Sequence, residues 1–208
     1  MKGYFITFEG GEGSGKSTQL SLLKDYLDKS GRRYIYTREP GGTEIAEEIR
    51  EILLSMHGEK MCDECEALLF AAARVQHIKN RILPAINDGN IVVCDRYVDS
   101  SMAYQGYARG LGEDLIEKVN FYAYKNCMPD VTFFLDVPPA AAFKRKGGAD
   151  ESDRVEMSGN EFHEKVYKAF SALCNKYPAR FIRIDAKQDA RHVHNDIINT
   201  LKSKGIIE

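Results

Sequence analysis

The chain has 208 residues, with 29 lysines and arginines against 31 aspartates and glutamates and a net charge of −2. That length suits one large domain spanning 1–208, with a core that needs neither disulfide nor metal. The balanced charge excludes a general binder of nucleic acid polymers, and no apolar run approaches the ~18 residues of a membrane span.

The chain opens with a short apolar run at 4–8 that Glu9 ends. This is too brief for a secretory leader, so a cytoplasmic protein is expected. The run reads as a first strand, 4–9. Behind it stands Gly10-Gly11-Glu12-Gly13-Ser14-Gly15-Lys16-Ser17-Thr18, a full match to G-x-x-x-x-G-K-[ST]. Glycines let such a loop wrap a phosphate while backbone N–H groups point inward. Lys16 is expected to reach the β- and γ-phosphates of a nucleotide, and Ser17 to ligate Mg²⁺. Glu12 is unusual there, because a carboxylate opposes phosphate charge.

A helix follows, with Leu20, Leu23 and Leu27 on one face and Gly31 as its stop. A second strand, 34–38, ends at Arg38. Thr43 can cap the next helix, with Ile45, Ile49 and Leu53 expected on its buried face. Cys62 and Cys65 form a lone C-x-x-C. A structural zinc normally needs a second ligand pair, so two reduced cysteines at a helix start is the preferred reading. Leu68, Val75, Ile78 and Ile82 mark a long third helix, on which Phe70 and Arg74 share a face. Phe70 taken alone would more often be core than a ligand platform.

A third strand, 91–95, delivers Asp95 to the place of a Walker-B acid, expected to hold Mg²⁺ through water, and Arg96 just beyond. Further helices are expected over 114–125, 159–176 and 189–202, with strands at 131–137 and 181–184. Apolar strands alternating with helices predict an α/β fold, a doubly wound five-stranded parallel sheet flanked by helices. Ligands in such folds sit at the carboxyl ends of strands. Arg38 and Arg96, both at strand ends, are therefore expected to grip a monophosphate with their fork-shaped donors.

No guanine-reading N-K-x-D is present, which argues against a GTPase. Phe8-Glu9-Gly10 leads into the phosphate loop. Thr37-Arg38-Glu39-Pro40-Gly41-Gly42-Thr43, Leu69-Phe70-Ala71-Ala72-Ala73-Arg74, Asp95-Arg96-Tyr97 and Ser101-Met102-Ala103-Tyr104-Gln105-Gly106 follow at their spacings. Together they resemble the bacterial thymidylate kinase family over nearly the whole chain, as far as Asp153-Arg154-Val155-Glu156. The resemblance implies transfer of the ATP γ-phosphoryl group to dTMP, with ATP and Mg²⁺ required and a homodimer as the assembly. It implies that Arg38 and Arg96 contact the dTMP phosphate, beside Pro40. It implies that Phe70 stacks on thymine, that Arg74 hydrogen-bonds the base, and that Tyr104 crowds the sugar against a 2′-hydroxyl. Ser101 and Gln105 are further candidates for contacts to the base edge. Glu12 is implied to accept from the 3′-hydroxyl. The basic run Lys144-Arg145-Lys146 with Arg154 looks like a lid, 144–156. Gly13 and Ser14 leave no arginine in the phosphate loop, so a lid cation is expected at the migrating phosphoryl group, first Arg145 and then Arg154.

Overall fold

The computed structural model describes residues 2–147 and 153–208. Part of the expected lid, including Gly148 and Ala149, lies outside the described residues. In chain order the elements are β1 (Tyr4–Glu9), α1 (Lys16–Ser30), β2 (Tyr34–Arg38), α2 (Glu44–Leu54), α3 (Asp63–His77), α4 (Leu83–Asn87), β3 (Ile91–Asp95), α5 (Val98–Ser101), α6 (Glu113–Val119), α7 (Phe121–Asn126), β4 (Val131–Asp136), α8 (Pro139–Lys146), α9 (Asn160–Lys176), β5 (Phe181–Asp185) and α10 (Ala190–Ser203). Two π-helical stretches, Ile78–Ile82 and Met102–Ala108, join α3 to α4 and continue α5.

The five strands form one parallel sheet in the order β2-β3-β1-β4-β5. β1 is central, and Phe5, Ile6 and Phe8 on its two faces are buried, as the continuous apolar run predicts. One face is covered by α1 and α10, where Leu23, Leu27, Ile197 and Leu201 close on Ile6 and Phe133. The other face is closed in two parts. Ile78 and Ile82 pack on Phe5, Val92 and Tyr97, while Phe162 and Phe170 of α9 pack on Phe134. At roughly 25 cal/mol per Å² of apolar surface buried, each such aromatic side chain contributes about 2–3 kcal/mol.

Helix ends follow the expected chemistry. Thr43 Oγ1 accepts from Ala46 N, and Asp189 caps α10 by accepting from Arg191 N and His192 N. Cys62 and Cys65 are exposed free thiols at the start of α3. Three expectations are corrected. Ile45 and Leu68 are more than half exposed; α2 and α3 lie against each other, and their buried apolar residues are Ala46, Leu53, Ala67, Ala71 and Ala73 instead. The helix expected over 114–125 breaks at Asn120, whose side-chain amide donates back to Ile116 O while its Oδ1 accepts from Arg74. The third helix widens into a π turn after His77 rather than running on regularly.

Candidate active site

The phosphate loop leaves β1 at Gly10 and enters α1 at Lys16. Gly15 caps α1 at φ 97°, a left-handed conformation open to glycine at little cost. Gly13 is left-handed too, at φ 73°, and meets a second requirement. A Cβ at Gly13 would stand 2.1 Å from Ala142 O and 3.2 Å from Lys146 Cβ. The missing side chain lets α8 lie directly on the loop.

Lys16 is buried, and its ammonium donates to Gly10 O and Gly11 O, each at 3.0 Å. Burial, and after it the Arg96 charge, pushes that ammonium below the ordinary lysine value. Residues 12–19 line a cleft together with Arg38, Asp95, Arg145 and Lys146. Asp95 Oδ1 is buried there and has no hydrogen-bond partner among the described residues. With the Ser17 hydroxyl it offers hard oxygen donors of the kind that suit a magnesium ion.

A second hollow adjoins the cleft. Pro40, Phe70, Arg74, Ser101, Tyr104 and Gln105 line it, whereas Arg38, expected beside them, lines only the phosphate-loop cleft. Glu12, Glu39, Arg50, Arg96, Asp153 and Glu156 line both spaces and so form the neck between them, two arginines among four carboxylates. Arg74 is 2% exposed and almost fully engaged. Its Nε donates to Glu39 Oε2 at 2.7 Å and its Nη1 to Ser101 Oγ at 3.0 Å and to Asn120 Oδ1, leaving Nη2 only a 3.4 Å contact to Tyr97 O. Glu39 also meets His77 Nδ1 at 3.0 Å, and His77 Nε2 meets Thr37 Oγ1 at 2.6 Å. Gln105 donates to Glu66, and the Tyr104 ring packs edge-on against Phe162 and Phe170.

Charge alternates along the neck. Arg96 donates to Glu12, and Glu12 Oε2 lies 3.9 Å from Lys146 Nζ. Lys146 in turn is held by Glu156. Burial raises the Glu12 carboxyl, but Arg96, Lys16 and Lys146 outweigh it and hold it at about 2. Arg38 is half exposed and pairs with Glu47 at 2.8 Å, not with its chain neighbours.

The two expected lid arginines are both engaged by other partners. Arg145 lines the cleft, but its guanidinium donates to Ala186 O at 2.8 Å and Lys187 O at 3.2 Å, beyond β5. Arg154 donates to Leu53 O at 2.9 Å and pairs with Glu66 at 2.7 Å, lining a separate surface hollow. The cation nearest Glu12 from the basic run is Lys146. Arg50, which donates to Pro40 O at 2.9 Å, was also missed, because its helical spacing to Glu47 reads as an ordinary surface pair.

Three comparisons bear on this geometry. The family model for thymidylate kinase matches residues 8–197. The thymidylate kinases of Thermoanaerobacter sp. (strain X514) and Bacillus licheniformis are 46% and 45% identical, each over 97% of this chain and 98% of theirs. The crystal structure of thymidylate kinase from Ehrlichia chaffeensis superposes with a TM-score of 0.80 at 33% identity, covering 97% of this chain and 100% of that one.

Proposed function

The chain belongs to the thymidylate kinase family, and from that membership we infer that it transfers the terminal phosphoryl group of ATP to dTMP, giving dTDP and ADP. The observation that carries the reading is the shared neck: a phosphate-loop cleft opens into an aromatic and arginine-lined hollow where Arg50 and Arg96 stand among the carboxylates Glu12, Glu39, Asp153 and Glu156. Two polyanions seated in these spaces meet end to end.

The acceptor is already an oxyanion near neutral pH, so the residues need only place and neutralise charge. Loop N–H groups and Lys16 hold the donor phosphates. Arg96 and Arg38 hold the acceptor phosphate, exchanging their carboxylate partners Glu12 and Glu47 for it. Phe70 stacks on the base, and stacking adds affinity with little choice among bases. Choice falls to the edge, where Arg74 Nη2, Ser101 and Gln105 stand. Tyr104, braced by two phenylalanines, closes the space beside the sugar. Asp95 and Ser17 would hold Mg²⁺, which when bound neutralises charge on the donor phosphates.

Lys146 supplies the lid cation at the neck in this reading. Arg145 ties the lid helix to the loop after β5, and Arg154 fastens its far end to α2 and α3. A homodimer fits the exposed Ile45, Ile52 and Leu68, which lie on the adjoining helices α2 and α3. A single domain acting in the cytoplasm completes the proposal. The test is ADP release with a panel of monophosphates. Turnover with dTMP far above CMP and AMP is expected; equal rates with all three would sink the assignment.

A further inference from the structure

Arg96 is the one non-glycine residue among those described with a left-handed backbone, at φ 64°. For an L-residue that conformation costs roughly 1–2 kcal/mol, so something must hold it. Its own N–H donates to Phe8 O at 2.9 Å, which extends the β1–β3 ladder one step past the strand ends. The next residues are held by the neighbouring side chain of β1. Glu9 Oε1 accepts from Tyr97 N at 2.8 Å and from Ser100 N at 3.2 Å, and Glu9 Oε2 accepts from Ser100 Oγ at 2.5 Å.

Glu9 is wholly buried and lines neither hollow. A buried carboxyl group costs free energy unless its oxygens are used. Here they are used on the turn that carries Arg96. Phe8 O and Glu9 thus clamp that turn from both sides, before and after the strained residue. Released from the clamp, Arg96 would relax toward an ordinary backbone conformation, and its guanidinium would leave the neck.

We propose that Glu9 is a positioning residue: it holds the 96–100 turn so that Arg96 presents its guanidinium to the acceptor phosphate. The proposal rests on the acceptor-site reading above. Its chemistry needs an acceptor oxygen at position 9 and does not need a charge there.

The test compares dTMP with thymidine, which lacks the phosphate. Glu9→Leu fills the same space without acceptors, and Glu9→Gln keeps a carbonyl oxygen for the two backbone N–H groups. By calorimetry, Glu9→Leu is expected to weaken dTMP binding about tenfold or more while thymidine binding changes less than about threefold. Glu9→Gln is expected to restore most of the dTMP affinity. On Arg96→Ala, which itself removes the preference for dTMP over thymidine, adding Glu9→Leu should cost dTMP binding nothing further. Should Glu9→Leu fail to fold, Glu9→Asp withdraws the carboxylate from the turn by one methylene and reads the same selective loss on a smaller scale. Equal weakening of dTMP and thymidine, unchanged dTMP affinity, or additive losses with Arg96→Ala would overturn the proposal. If Arg96→Ala leaves dTMP binding intact, the acceptor-site reading fails first and the role of Glu9 falls with it.

Discussion

Arg74 Nε and Glu39 Oε2 form a 2.7 Å ion pair in which the two side chains are 2% and 3% exposed. The pair joins α3, which carries Phe70, to the segment that follows β2 and carries Pro40. Glu39 spends its second oxygen on His77, so removing it strands two buried donors at once. Glu39→Ala is expected to lower the unfolding free energy by about 3–5 kcal/mol, the usual cost of leaving a buried charge unpaired. Urea unfolding measures this. A loss below about 1 kcal/mol would mean the pair contributes little beyond a surface bridge.

Gly13→Ala tests how closely α8 rests on the phosphate loop. The new methyl group would collide with the Ala142 carbonyl and would sit on a left-handed backbone at φ 73°, so α8 must lift or the loop must shift away from it. The sheet and its packing do not depend on this contact. Circular dichroism should therefore be unchanged, while kcat falls by about tenfold or more as the lid cation withdraws. Wild-type kcat in a folded Gly13→Ala protein would refute the seating of the lid on the loop.

The three basic positions of the lid should separate kinetically. Lys146→Ala is expected to lower kcat about a hundredfold, as loss of a transition-state charge contact does. Arg145→Ala should raise KM for ATP with a smaller change in kcat, because its anchor lies on the loop after β5. Arg154→Ala should lower the melting temperature through its lost bonds to Glu66 and Leu53. A larger kcat loss in Arg154→Ala than in Lys146→Ala would reverse the assignment.

Much of this was legible in the sequence, and the rest was not for a physical reason. β1, β3 and β4 announce themselves through continuous apolar runs, and the phosphate loop is a local pattern of nine residues. Phe70, Arg74, Tyr104 and Gln105 were found through family resemblance and do line one hollow. The fate of Arg154 depends on Glu66 and Leu53, which are remote in the chain, so composition could not show that its charge is already taken. The same holds for Glu9, whose partners Tyr97 and Ser100 are 88 and 91 residues away. Leu68 is exposed because α3 buries its alanines, Ala67, Ala71 and Ala73, a choice of face that periodicity alone does not reveal.

Glu12 gives a pH-dependent signature. Its carboxyl is held at about 2 against an ordinary 4.5, so the ionised form stabilises the fold. That contribution is complete above pH 4.5 and is lost as the pH falls toward 2. Glu12→Gln lacks it. The melting temperature of the wild type should therefore exceed that of Glu12→Gln near neutrality, by the equivalent of about 2 kcal/mol, and the gap should close as the pH drops. A gap independent of pH would show that the Arg96 and Lys146 charges do not act on Glu12.

The order of the strands divides the labour of the site. β2 and β3 lie on one side of β1 and lead to Arg38 and Arg96, the cations proposed above for the acceptor phosphate. β4 and β5 lie on the other side and lead to α8 and to the loop that anchors Arg145, the donor's surroundings. The phosphate loop sits on the boundary. Arg38 and Arg96 also line the phosphate-loop cleft, so changes at the ends of β2 and β3 bear on both spaces, whereas Gln188 and Ala190 line that cleft alone and Phe70 and Gln105 the second hollow alone; those are the positions at which the fit of one space can evolve as a separate trait.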